Sequence, residues 1–250
     1  MTSTTPADAA FSSRRGLLGL LAVSGLDDAA ADTSTGIHSM TTNDAQALDP
    51  RKLALGPIAA ATAVGDMALL APALERGLDT GLTIGQVKET LVQMYAYAGF
   101  PRSLNALAAL MKLLEERRAR GVHDPEGEAP GPVPVGAQLL EAGTANQTRL
   151  VGAPVAGPLF DFAPAIDRFL KTHLFGDIFA RDNLDWQSRE LATVGALAAL
   201  RGVDSQLASH VRISLNVGLT AEQLQASAKA LAAGGFSEAA DRLRAAVGRL

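Results

Sequence analysis

Apolar positions recur at spacings of three and four over two long stretches, residues 48–120 and 184–250. A greasy stripe with a 3.6-residue period predicts helices, and few windows are rich in the Val, Ile and Thr that strands favour. In the first stretch the pattern predicts helices at 50–64, 66–79, 83–97 and 101–120. Thr83, followed three residues later by Gln86, fits a capping box, in which each side chain satisfies a free backbone N–H of the other. Gly99 ends the third helix, and Pro101 suits the first turn of the fourth. That helix closes on Glu115, Glu116, Arg117 and Arg118, which read as a solvated charged turn.

The second stretch opens on two helices joined by a turn at 201–204. Asp185 is placed to cap the first of them. Its apolar positions Leu191, Val194, Leu197 and Leu200, with alanines between, mark a buried helix. Thr220 and Gln223 form a second capping box. The two stretches also resemble each other. GLDTGLTIGQV (77–87) lines up with SLNVGLTAEQL (214–224), AGF (98–100) with GGF (234–236), and LDPRKLA (48–54) with LDWQSRELA (184–192). The chain therefore reads as two copies of one helical unit, 48–120 and 184–250, and its fold class as all-α, a duplicated helical bundle.

The intervening 121–183 is different in kind. Prolines and glycines over 121–135 predict an extended connector, and 136–158, with little periodicity, reads as irregular chain. Pro164 starts a helix with the stripe Ile166, Phe169, Leu170 and Leu174, and a further short helix is expected at 176–181. This aromatic-rich insert is suited to cover a pocket or a subunit interface, although packing alone would account for it.

Composition narrows the functions. Aromatics are 4% of the chain, net charge is −4, and there is no long basic run, so nucleic acid is not an expected partner. With no cysteine, disulfides, thiolate metal sites and thiol redox cycles are excluded. His38, His123, His173 and His210 are too scattered for a zinc helix, so a metal site is not expected. Residues 1–31 read as a twin-arginine export segment: Arg14 and Arg15 precede an apolar run at 16–26 too short to span a bilayer, and Ala29, Ala30 and Ala31 offer a cleavage site. Residues 32–47 read as a disordered linker. The expected location is therefore outside the cytoplasm, in the periplasm. If Met40 is the true start, it is cytoplasmic. Stable membrane insertion is not expected.

Two residues concentrate the candidate chemistry. Glu190 lies on an otherwise greasy helix face. His210 sits on the next helix with Leu207 and Ile213 three residues to either side. If they meet, they form a proton-handling pair in a dry site. Simpler roles exist for both. A buried histidine often bonds a backbone carbonyl, and Glu190 can serve its helix dipole or pair with Arg189 or Arg212. The first copy has no acid at 51–65 and has Ala73 opposite His210, so it holds no equivalent pair. It offers Tyr95, Tyr97, Arg102 and Asn105 around Gly99.

RELATVGALAALRGVDSQLASHVRISLNVGLTAEQL and LVQMYAYAGFPRSLNAL resemble the carboxymuconolactone decarboxylase family, which includes the alkyl hydroperoxidase D proteins, and specifically its tandem-repeat branch. The hydroperoxidase branch works through a glutamate, a Cys-x-x-Cys pair and a histidine. Here Glu190 and His210 match the outer members, while 202–206 contains no cysteine, so thiol peroxidase activity is excluded. The resemblance implies a lyase of aromatic-compound catabolism acting on a small carboxylated lactone, with no cofactor. In that role His210 is the proton donor and Glu190 its partner. Arg102 or Arg212 anchors a carboxylate, Tyr95 or Tyr97 donates to the lactone, and Asn105 lines the same cavity. Two other readings stand beside it: a catalytically silent binding or scaffold protein, and a lactone hydrolase or isomerase. The resemblance also implies a homo-oligomer, a trimer or a dimer of two-repeat chains.

Overall fold

The computed structural model describes residues 47–249. The export segment, the linker up to residue 46 and the alternative start Met40 lie outside the described residues. The regular elements among them are all helices, with no strand, and no described helix is long and apolar enough to cross a membrane.

The first unit consists of α1 (Pro50–Val64), α2 (Met67–Asp79), α3 (Ile84–Ala98) and α4 (Phe100–Ala119). Its boundaries follow local chemistry. Asp49 accepts the Arg51 N–H at 2.9 Å to start α1, and Gly65 ends it at φ +73°. Thr83 and Gln86 make both bonds of the capping box, at 3.1 Å each. Connector carbonyls serve the same helix end: Pro125 accepts from Ile84 N–H and Glu126 from Gly85 N–H.

The second unit repeats the order as α8 (Trp186–Ala199), α9 (Asp204–Asn216), α10 (Ala221–Ala233) and α11 (Ser237–Val247). Asp185 caps α8 through Ser188 N–H, and Thr220 and Gln223 repeat the capping box. Each unit has its own core, and the two interlock. Ala192 and Ala196 of α8 pack into the first core, and Ala60 of α1 packs into the second. At the centre α1 and α8 touch almost backbone to backbone. A Cβ on Gly195 would stand 2.6 Å from the Gly56 carbonyl oxygen.

The region between the units departs from the sequence reading. Residues expected to be irregular include a 15-residue helix, α5 (Ala137–Val151). Its buried face is Gly143, Gln147 and Leu150, spaced like a helix but carried by a glycine and an amide that hydropathy does not register. Gly143 is required there, because a Cβ would lie 1.7 Å from the Lys171 carbonyl oxygen. After α6 (Pro158–Phe162) and α7 (Pro164–Phe169), the helix expected at 176–181 is replaced by a π-helix, Leu170–Ile178, that continues α7 without a break. Phe175, Phe179, Leu174 and Ile178 seat this insert on Leu150 of α5 and Ile213 of α9.

The charged end of α4 is also corrected. Arg117 is buried, not solvated, and donates to Asp124 and to Asp79 at 2.8 Å. The Arg117 hydrogen bonds hold the Asp124 carboxyl below the usual carboxylate range. One cation thus ties the end of α4 to α2 and to the start of the connector.

Candidate functional site

Glu190 projects from the first turns of α8 and is completely buried; His210, on α9, is 9% exposed. Their side chains meet: His210 Nδ1 and Glu190 Oε2 are 2.8 Å apart. With Nδ1–H donated to the carboxylate, Nε2 is the ring nitrogen left for another group, and it bonds nothing among the described residues. The second carboxylate oxygen, Oε1, is buried and has no partner among the described residues. Burial of a carboxylate with half of its acceptor capacity unused is costly, which is the kind of expense that sites of chemistry sustain.

Tyr97 of α3 completes this wall. Its ring meets the His210 ring edge-on, with centroids 5.8 Å apart, and its hydroxyl lies 3.5 Å from Thr193 Oγ1. Burial, and then the negative charge of Glu190, push the Tyr97 phenol well above its ordinary pKa. It therefore stays protonated and remains a donor.

His210 and Tyr97 line a cavity of about 470 Å³. α9 adds Gln206, Ser209, Arg212 and Ile213, and α8 adds Leu197. The insert closes the other side with Gln147, Val151, Val155, Leu170, Leu174 and Phe175. Arg212 is exposed on α9 and has no ion-pair partner among the described residues. A wider groove of about 700 Å³ runs past the start of α8, but its cations are engaged. Lys52 bonds Asp185 and Gln187, and Arg149 lies over the Trp186 ring.

Of the residues expected at one site, Glu190, His210, Tyr97 and Arg212 come together; Tyr95, Arg102 and Asn105 do not line this cavity. Two residues apart on a helix is about 200° of rotation, so Tyr95 cannot share the face of Tyr97. It stacks on Phe100 at 4.3 Å. Arg102 donates to the Ala63 carbonyl, serving the C-terminal end of α1. Asn105 is exposed on α4.

Behind Glu190 lies a polar network that sequence reasoning missed. Arg189, fully buried, does not pair with its neighbour Glu190. It donates to Glu89 Oε2 at 3.1 Å and to Gln93 Oε1 at 3.2 Å. Arg181 clamps the same Glu89 carboxylate with contacts of 2.6 to 3.0 Å. Burial alone would raise the Glu89 pKa, but the bonds from Arg181 and Arg189 outweigh it and hold the carboxyl low. Gln93 donates on to Thr193 Oγ1 at 2.8 Å, which reaches Tyr97. Only Glu89 and Gln93, polar positions four apart on an amphipathic helix, hinted at this in the sequence, and that spacing ordinarily marks a solvated face.

Among the described residues no cluster of three or more His, Asp or Glu side chains is placed to hold a metal ion. Fold and site together define a two-copy, all-helical protein with one buried carboxylate–imidazole pair opening on a cavity. The family model described as the carboxymuconolactone decarboxylase family matches residues 29–112 and 164–248, one match per copy, and the chain belongs to that family. No curated protein matches the chain.

Proposed function

We propose that the protein is a cofactor-independent lyase that removes carbon dioxide from a carboxylated lactone or related conjugated ring. The observation that carries this reading is the 2.8 Å contact between His210 Nδ1 and Glu190 Oε2 on the wall of a largely apolar cavity. Glu190 fixes the imidazole so that Nε2 faces the substrate. Arg212 holds the carboxylate. When the bond between ring carbon and carboxylate breaks, its electron pair passes into the conjugated lactone as a dienolate and carbon dioxide departs. Tyr97, held protonated, is the donor nearest the pair for the developing charge. The imidazolium then gives its Nε2 proton to carbon, and solvent reprotonates the ring. A cavity wall of low polarity strengthens each of these interactions.

Replacing His210 by Ala is expected to lower carbon dioxide release from a carboxylated butenolide by about 10²–10⁴-fold, with the circular dichroism spectrum unchanged. Full activity in that variant would overturn the reading. A hydrolase or isomerase using His210 as general base would instead leave the carboxylate on the product, which mass spectrometry distinguishes. A silent binding protein would turn over none of these substrates.

Two further parts of the proposal concern assembly and location. Phe100, Leu104 and Met111 form an exposed stripe along α4, which supports self-association; sedimentation velocity gives the number of chains. Export through residues 1–31 is tested by fractionating cells that express the full chain with Arg14 and Arg15 intact or changed to Lys.

A further inference from the structure

The cavity contains a polar group that the chemistry above does not use. Gln147, on α5, is 4% exposed and lines the cavity opposite α9. Its carboxamide makes no hydrogen bond among the described residues. An amide that lines a cavity and is not engaged by the protein is available to donate to whatever fills that cavity, water or a ligand.

The charge inventory is equally one-sided. Among the described residues Arg212 is the one permanent cation lining this cavity; the His210 ring is already paired with Glu190, and in the reaction proposed above its proton goes to carbon. Arg102 is committed to the Ala63 carbonyl, and Arg189 to Glu89 and Gln93. The remaining walls are mainly apolar, with Val151, Leu170, Leu174, Phe175, Leu197 and Ile213 among them. A second carboxylate on the ligand would be desolvated without a partner, in a site that already holds the Glu190 carboxylate. The volume, about 470 Å³, is room for roughly fifteen waters at ~30 Å³ each. That is several times the volume of one five-membered ring.

We propose that the cavity selects a singly charged lactone acid with an extended apolar substituent, not a compact diacid. In this arrangement Gln147 donates to the lactone carbonyl, Arg212 holds the carboxylate, and the insert covers the substituent. The inference rests on the cavity being the substrate site of the proposed lyase; it does not depend on loss of carbon dioxide.

Saturated lactones separate the two, because they lack the conjugation that takes up the electron pair and so report binding alone. Isothermal titration of the full chain would compare four probes: 5-oxotetrahydrofuran-2-carboxylate, its 3-pentyl homologue, 5-oxotetrahydrofuran-2,3-dicarboxylate, and 2-pentylcyclopentane-1-carboxylate, which has no lactone group. The pentyl lactone is expected to bind at least about tenfold more tightly than its unsubstituted parent, and the dicarboxylate more weakly than either. Gln147→Leu is expected to weaken the pentyl lactone about tenfold and leave the cyclopentane acid unchanged. Tightest binding by the dicarboxylate, equal loss of both pentyl acids in Gln147→Leu, or no binding of any probe would overturn the proposal. The wild-type ranking alone decides the matter if the variant does not fold. If the ranking holds but unsaturated counterparts release no carbon dioxide, the lyase reading fails and the ligand class stands.

Discussion

At the scale of single residues, the pair divides its work unequally. Of the two, only His210 reaches the cavity, while Glu190 is sealed behind it; in the proposed reaction Glu190 acts through the ring. Glu190→Gln keeps the size of the side chain and removes its charge, so the imidazole loses the anion that accepts its Nδ1–H and fixes its orientation. Carbon dioxide release is expected to fall by about 10- to 100-fold, in kcat and with KM little changed. Unchanged kcat would reduce Glu190 to a packing role. Glu190 and His210 were legible in the sequence because each interrupts an apolar stripe. Arg102 and Tyr95 were misplaced for a plain reason: linear proximity to Gly99 says nothing about rotation around a helix. Gln147 gave no signal, since a lone glutamine in a polar stretch is ordinarily a surface residue.

At the scale of elements, caps and glycines were readable, and burial by small or polar residues was not. Thr83 with Gln86 and Thr220 with Gln223 announced α3 and α10 because a hydroxyl and an amide at that spacing have one favourable use. α5 escaped because close backbone approach at Gly143, not a hydrophobic stripe, docks it on the π-helix. Gly143→Ala forces a Cβ into the Lys171 carbonyl and is expected to destabilise the fold by about 3 kcal/mol, read as a lower urea midpoint. The insert bearing Leu170, Leu174 and Phe175 should loosen with it. A variant as stable as the wild type would mean that the π-helix shifts freely on α5. Arg117 was misjudged for a related reason: its acidic partners Asp79 and Asp124 lie outside its own turn, one on α2 and one in the connector.

At the scale of the whole molecule, the duplicated order of helices was evident from the sequence, but the way the copies are joined was not. Glu89 and Gln93 of the first unit grip Arg189 and Thr193 of the second. Removing one partner from such a buried cluster leaves an uncompensated charge. Glu89→Ala is therefore expected to cost about 3–5 kcal/mol, measured by chemical denaturation, and a loss below about 1 kcal/mol would show that Arg189 finds water instead. This cluster and the Arg117–Asp124 pair at the end of α4 are expected to set the acid limit of the fold. Glu89 and Asp124 have folded pKa values held below their unfolded ones. Each therefore contributes stability that is complete above the unfolded value, ~4, and is lost as pH falls through the lower folded value. The urea midpoint should be level between about pH 7 and 5 and decline below about pH 4. A decline that begins near pH 6 would point to histidine instead.

The copy that ends at α4 has an alanine, Ala73, where its twin has the imidazole, and no acidic side chain along α1. Duplication therefore did not double the carboxylate–imidazole pair. One half of the polypeptide became an anvil for the other, and a saturating titration should stop at a single equivalent of ligand for every chain present, however many chains assemble.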